Sequence, residues 1–345
     1  MDLTLGPEQE AVRDAIRAVL ADRQSPARVR QVMATEPPVD DALWREAATL
    51  GWFGLTLPEN AGGAGYGLVE GALLFQEIGR SVVPGPWLGT VLAVRALAGA
   101  PAVRDWLGDV LAGGARVAVI DDPEDRLGRS ARLDGVACNV LDAGCVGAFL
   151  VLGSERTRFV GPDAAGVRVQ SGPSMDPTRR IGAVTFGAVE GVALPGDARR
   201  WRLEGATLAA AEALGVAERT VEMSVEYAKV RRQFGKPIGT FQAIKHRCAD
   251  MAVRAEVARA MVTYAAVALD EGCEGTARHV AMAKALAGLA ALANATDNIQ
   301  NHGGMGYTWE SAAHLYLKRA RLLEHCFGTR TAHLDALAAP WRTAH

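Results

Sequence analysis

The sequence predicts a mainly α-helical protein with one small β domain set between two helical parts, and three observations lead there. Apolar residues recur at helical spacing from about residue 7 to 113 and again from about residue 202 onward. Between these parts, from about Val117 to Leu194, short runs rich in Val and Phe are separated by Gly, Pro, Asp and Ser. The helix from about Glu274 to Asn298 is alanine-rich on most sides. Alanine permits close approach, so that helix is expected at the centre of a bundle or buried at a subunit interface. The domain boundaries that follow are 1–114, 115–200 and 201–345.

In the N-terminal part, Val12, Ile16, Val19 and Leu20 form a stripe on the first helix. Pro37-Pro38 interrupts the chain, and Asp40 or Asp41 can cap a helix through Leu43, Ala47 and Leu50. Gly51–Gly67 holds six glycines and a proline, which no helix interior tolerates. It lacks the Lys-Ser/Thr of a phosphate loop and follows no strand, so it reads as a structural connector. Helices over Leu68–Arg80 and Trp87–Ala98 complete this part. In the middle block VAVID, AFLVLG, TRFVG, VRVQ and AVTF predict a small antiparallel sheet or barrel, with a turn at Gly161-Pro162-Asp163.

The C-terminal part carries one apolar face at Leu214, Ala217, Val221, Val225 and Ala228, and another at Ile244, Cys248, Met251 and Ala255. Between them, Glu226–Gln242 (EYAKVRRQFGKPIGTFQ) reads as a corner: glycine ends one long helix and the chain restarts after proline. Basic side chains before the corner and an amide after it make either an anion clamp or a solvated basic cap, and residue types alone favour the cap. A second glycine loop, Gln300–Tyr307, precedes a helix from about Glu310 to Gly328-Thr329. His302 in that loop reads as a packing or capping residue.

Net charge is −2, from 37 basic and 39 acidic residues, so nothing marks a binder of nucleic acid or of an anionic membrane. No apolar run reaches the roughly 18 residues needed to span a bilayer, and the N-terminus lacks a secretory signal. The five cysteines show no metal or redox spacing and read as reduced, mostly buried groups of a cytoplasmic protein.

Three stretches together resemble the acyl-CoA dehydrogenase family: Gly51–Gly63 (GWFGLTLPENAGG), Glu226–Asp250 (EYAKVRRQFGKPIGTFQAIKHRCAD) and Asn298–Lys318 (NIQNHGGMGYTWESAAHLYLK). The resemblance covers most of the chain. It implies an N-terminal helical domain, a middle β-sandwich or barrel and a C-terminal four-helix bundle. It also implies FAD shared across a subunit interface, held here by Arg231, Phe234, Gln242, Gln300, Gly303 and Gly304. Those residue types suit a flavin's outer half, with an arginine for pyrophosphate, glycines for close backbone approach, and amides for ribose and adenine. Arg232 lies one position out of register and is expected to be exposed or ion-paired.

The departures from the family pattern are as informative. The reaction needs a carboxylate to take the α-proton of an acyl-CoA while the β-hydrogen leaves as hydride. The family places that glutamate directly before a Gly-Thr, where this chain has Phe327. The alternative family position, on the first helix of the C-terminal part, falls on Gly205, with Glu204 about 100° of helical rotation away. Glu204 is therefore a weak catalytic candidate, read more simply as a first-turn acid. The flavin-ring segment of the family is represented by VAVIDDPEDRLGRSARLDG, which matches only at Asp122-Pro123, and a family glutamine by Thr331.

A clamp for the flavin's outer tail without a base resembles the short partner subunit of α2β2 steroid side-chain acyl-CoA dehydrogenases of actinobacteria, as does TRRIGAVTF (Thr178–Phe186). That resemblance implies a homologous partner carrying the glutamate and most of the acyl-CoA site. It also implies an electron-transferring flavoprotein as acceptor. Two other readings follow from the same residues: a homomer using Glu204, and a non-redox scaffold.

Overall fold

The computed structural model describes residues 3–342 apart from residues 131 and 163. Asp163 of the expected turn thus lies outside the described residues. In chain order the helices are α1 (Pro7–Arg23), α2 (Pro26–Met33), α3 (Asp41–Thr49), α4 (Leu68–Arg80), α5 (Trp87–Leu97) and α6 (Arg104–Leu111). Strands β1 (Val117–Asp121), β2 (Arg132–Leu141), β3 (Ala148–Leu152), β4 (Thr157–Val160), β5 (Val167–Pro173), β6 (Arg180–Glu190) and β7 (Val192–Leu194) follow. Then come α7 (Ala198–Val230), a hairpin of β8 (Arg232–Gln233) and β9 (Lys236–Pro237), α8 (Gln242–Asp270), α9 (Thr276–His302), α10 (Ala313–His325) and α11 (Arg330–Arg342). The expected helical, β, helical order holds.

These elements form two compact units. One gathers Ala27–Gly71 and Val83–Gly205; the other gathers the chain up to Pro26, Ala72–Val82 and the chain from Ala206 on.

In the first unit the strands make two sheets, ordered β1-β3-β4-β7 and β2-β6-β5. Their facing sides share a core of Ala118, Ile120, Leu133, Val140, Phe149, Val151, Val184 and Phe186, with Phe149 and Phe186 edge to face at 6.2 Å. This is a sandwich, but one pair departs from the antiparallel expectation: β1 runs parallel to β3. The intervening β2 joins the other sheet, so β3 returns to β1 in the same direction. Residue composition reveals strands but not their partners.

The same unit explains the first glycine loop. The N–H groups of Ala64, Gly65 and Tyr66 bond back to the carbonyls of Gly54, Leu57 and Leu55. A Cβ added at Gly63 would lie 2.3 Å from Leu57, so glycine is required there. Trp52 and Phe53 anchor the loop among Trp44 and Trp87, with ring centroids 4.6–6.2 Å apart. These N–H groups are spent on the loop's own carbonyls. Asp40, rather than Asp41, caps α3: its carboxylate accepts from the N–H groups of Ala42 and Leu43 and takes both ends of the Arg28 fork at 2.7 and 2.8 Å.

In the second unit α9 is the central helix, packed by α8, α10 and α11. Most of its alanines are buried, and Asn294 ties it to α7 and α8 by donating to the carbonyls of Ala217 and Met251. Residues Ala72–Arg80 of α4 cross α7 at backbone distance. A Cβ at Gly79 would sit 2.0 Å from the Glu212 carbonyl, and one at Gly215 1.9 Å from that of Gln76. Arg319 of α10 pairs with Glu212 of α7 at 2.6 Å, both fully buried.

The helix expected from Glu310 to Thr329 is α10, which stops at His325; α11 is a separate, unanticipated helix. The cysteine expectation also needs correction. Of the five, all free thiols, only Cys145 is buried, and burial pushes its pKa up to about 12. Among the described residues no helix is long and apolar enough to cross a membrane, and no His/Cys/Asp/Glu group has metal-binding arrangement.

Candidate functional site

The corner at 231–242 is more shaped than a helix-turn-helix. After α7 ends, β8 and β9 pair Arg232 with Pro237 and Gln233 with Lys236. The turn between them places Phe234 at φ +50° and Gly235 at φ +76°. Two consecutive positive φ values mark the turn family that matches strand twist in two-residue hairpins. Glycine adopts this without cost; phenylalanine does not. Phe234 is nonetheless 90% exposed, with the Phe241 ring edge-on at a centroid distance of 6.0 Å. Arg232, expected exposed or paired, closes the turn by donating to the Gly235 carbonyl at 2.9 Å. Arg231 is exposed and has no side-chain partner among the described residues. Helix α8 then opens with an exposed Gln242.

Charge reinforces the shape. Between Tyr227 and Ala249 there is no Asp or Glu, while Lys229, Arg231, Arg232, Lys236, Lys245 and Arg247 fall in that span. A helix N-terminus and a run of cations both favour an anion.

The C-terminal end of α9 meets this corner. Tyr227 stacks on His302 with centroids 4.2 Å apart, Ser224 donates to Asn298 at 2.9 Å, and Arg247 donates to Asn301 at 2.9 Å. His302 is thus a packing residue, its Nδ1 bonded to the Asn298 carbonyl at 2.8 Å. Beyond it Gly303 takes φ +58°, ψ −140°, a conformation that glycine alone adopts readily. Among the described residues nothing lies within 4 Å of a Cβ built at Gly303 or Gly304, so the backbone here is open on that side. Arg231, Phe234, Gln242, Gln300, Gly303 and Gly304 accordingly gather at one end of the same helical unit.

Phe327 sits half-buried in the α10–α11 turn at φ +53°, followed by Gly328 at φ +100°. Two groups that sequence reasoning missed hold this turn. Lys284, 2% exposed, donates to the carbonyls of Leu323, Glu324 and Gly328 at 2.9, 3.4 and 3.2 Å. His333 Nε2 lies 3.0 Å from the Phe327 carbonyl. Burial pushes the pKa of both side chains down, and the Lys284 charge adds to the shift at His333. The one available signal for Lys284 was a cation within the alanine-rich run AMAKALAG.

Glu204 is not a first-turn acid, because α7 begins at Ala198. It is 1% exposed and accepts from Arg95 at 2.6 and 3.3 Å and from Arg200 at 3.0 Å. Arg95 also donates to the Thr56 carbonyl at 2.7 Å. The segment around Asp122-Pro123 is likewise spent on itself. Asp122 accepts the N–H groups of Arg126 and Leu127, and Asp125 accepts the N–H and hydroxyl of Ser154. The Ser154 hydroxyl bond holds the Asp125 carboxyl below its usual pKa. Arg158, buried on β4, donates to the carbonyls of Gly128 and Ser130.

Comparison with known proteins places this geometry in context. The family description "Acyl-CoA dehydrogenase, N-terminal domain" matches residues 6–113, and "Acyl-CoA dehydrogenase, C-terminal domain" matches residues 203–340. Acyl-CoA dehydrogenase IpdE2 of Mycobacterium tuberculosis is 37% identical over 322 residues, covering 92% of each chain. Among solved structures, the Tcur3481-Tcur3483 steroid ACAD superposes with a TM-score of 0.89 at 29% identity over 99% of both chains. The ChsE4-ChsE5 complex from Mycobacterium tuberculosis does so with a TM-score of 0.90 at 25% identity, again over 99% of both chains.

Proposed function

The chain belongs to the acyl-CoA dehydrogenase family, and we propose that it serves there as a base-less subunit of a heteromeric, FAD-dependent enzyme. In this reading it lends the Arg231–Gln242 corner and the Gln300–Gly304 loop to an FAD seated mainly in a homologous partner. The carrying observation is an asymmetry. The candidate clamp is open and uncommitted, with Arg231 unpartnered among the described residues and Phe234 fully presented to solvent. Both candidate base positions are closed: one is Phe327, the other is buried in a two-arginine ion pair.

The donor set fits the outer half of FAD. Arg231 offers a charge-assisted fork to a pyrophosphate, and the exposed backbone at Gly303-Gly304 can approach a phosphate oxygen without a Cβ. Gln242 and Gln300 supply amides for ribose and adenine edges, and Phe234 a flat face for stacking. Bound FAD supplies the hydride acceptor for forming an α,β-double bond in an acyl-CoA. The partner would supply the carboxylate. A steroid side-chain CoA thioester is the proposed substrate, by analogy with the steroid ACAD relative.

The competing reading of Glu204 as a displaced base is disfavoured by its surroundings, since it is 1% exposed and guanidinium groups occupy both of its carboxylate oxygens. Purification alone and with the partner tests the proposal. Flavin content that is unchanged by Arg231→Ala would favour a scaffold role instead.

A further inference from the structure

We infer that Lys284 and His333 are positioning residues: a two-point clamp that fixes residue 327 in its left-handed conformation, whichever side chain it carries. This deepens the reading of Phe327 as the base position and rests on it. A bulky residue at φ +53° is a backbone outlier, and such outliers persist only where the surroundings over-determine them. Phe327 is half-buried and has no aromatic ring partner among the described residues, so the polar contacts that fix this turn come from other side chains.

The determination comes from the backbone's partners. An ammonium has three donors, and those of Lys284 meet the carbonyls of Leu323, Glu324 and Gly328 on both sides of the turn. The Phe327 carbonyl between them meets His333. At φ +100° residue 328 favours glycine, and a Cβ there would also crowd His333 Nε2 at 3.0 Å. Downstream, Thr329 caps α11 through its hydroxyl, which accepts the Ala332 N–H at 3.2 Å. Lys284 stands on α9, the central helix of its unit, and His333 on the first turn of α11. The turn is therefore pinned from two helices. The chain has lost the carboxylate but keeps a platform that would present a group at position 327 in one fixed place.

The test is a coupling experiment on the full-length chain. Phe327→Gly forfeits the half-buried ring but relieves a strained φ, so the melting temperature should fall about 2–4 °C less in the parent than in His333→Ala. In His333→Ala the full loss should appear, because the released turn can return to negative φ and glycine then only adds unfolded-state entropy. His333→Gln, which restores a donor, should recover the smaller loss. In a chain labelled with 4-fluorophenylalanine, the residue-327 fluorine resonance should be single and narrow in the parent and in His333→Gln. It should be broadened or doubled in His333→Ala. An equal temperature shift with and without His333, or an unchanged resonance in His333→Ala, overturns the clamp. Lys284→Gln probes the second point; if it does not fold, the His333 series decides. No arm reads flavin, so failure here leaves the proposed function standing.

Discussion

Replacing Phe234 with Asn should make the isolated chain more stable and the assembled enzyme worse at holding flavin. Phe234 has φ +50° and is 90% exposed, so its ring contributes little burial and its backbone conformation is costly. Left-handed backbone costs a non-glycine residue roughly 1–2 kcal/mol, and asparagine tolerates it far better, especially before glycine in this turn. The edge-on contact with Phe241 at 6.0 Å returns about 0.5 kcal/mol to the phenylalanine. The balance favours asparagine by about 0.5–1 kcal/mol, readable as a higher urea midpoint at unchanged slope. In the complex the same change removes an aromatic stacking face, for which about 1–2 kcal/mol, or a 5- to 30-fold weaker FAD affinity, is expected. Urea melts of the isolated chain and flavin titration of the apo-complex measure the two halves. A lower midpoint would mean that the ring packs within the chain. Unaltered flavin affinity would mean that the strain serves something else.

Arg231→Ala should lower FAD affinity of the complex about tenfold or more, the loss of a charge-assisted bond, while leaving the isolated chain's melting temperature nearly constant. Arg232→Ala is the contrast, since that side chain is spent on the Gly235 carbonyl and should matter mainly to the hairpin. Glu204→Gln should destabilise by roughly 2–4 kcal/mol in urea, because it leaves Arg95 and Arg200 without their anion, yet leave turnover per folded complex unchanged. A specific loss of turnover would revive the displaced-base reading. His333 should give the stability curve an acid-side slope. Its folded pKa lies below the ordinary 6.5, so the unfolded chain binds a proton that the folded chain refuses. The stability His333 gives above that value is lost as pH falls from about 6.5 toward the folded pKa. His333→Gln should flatten the urea midpoint between about pH 7 and pH 5 relative to the parent.

The parts legible in the sequence were those with local causes. Gly235 and Pro237 announce a break between helices, and the alanines of α9 announce a helix that neighbours approach closely. The hairpin inside the corner was not legible, because a phenylalanine carries no sign that its φ will be positive. Nor was the parallel pairing of β1 with β3, which depends on β2 crossing to the other sheet. Glu204 shows the same limit for a site residue: its burial depends on Arg95, 109 positions away in the chain. Phe327 was visible as a substitution beside Gly-Thr, yet the Lys284 and His333 that hold it come from other helices. Residue identity marked Phe327 as a departure from the family pattern, and only the fold revealed the groups that hold its turn.

The most direct test of the account is flavin stoichiometry with turnover, measured on this chain purified alone and co-purified with its homologous partner. The account predicts a colourless or weakly yellow, inactive isolated chain, and a yellow, active complex with about one FAD per two chains. Full flavin occupancy and acyl-CoA turnover by this chain alone would contradict it.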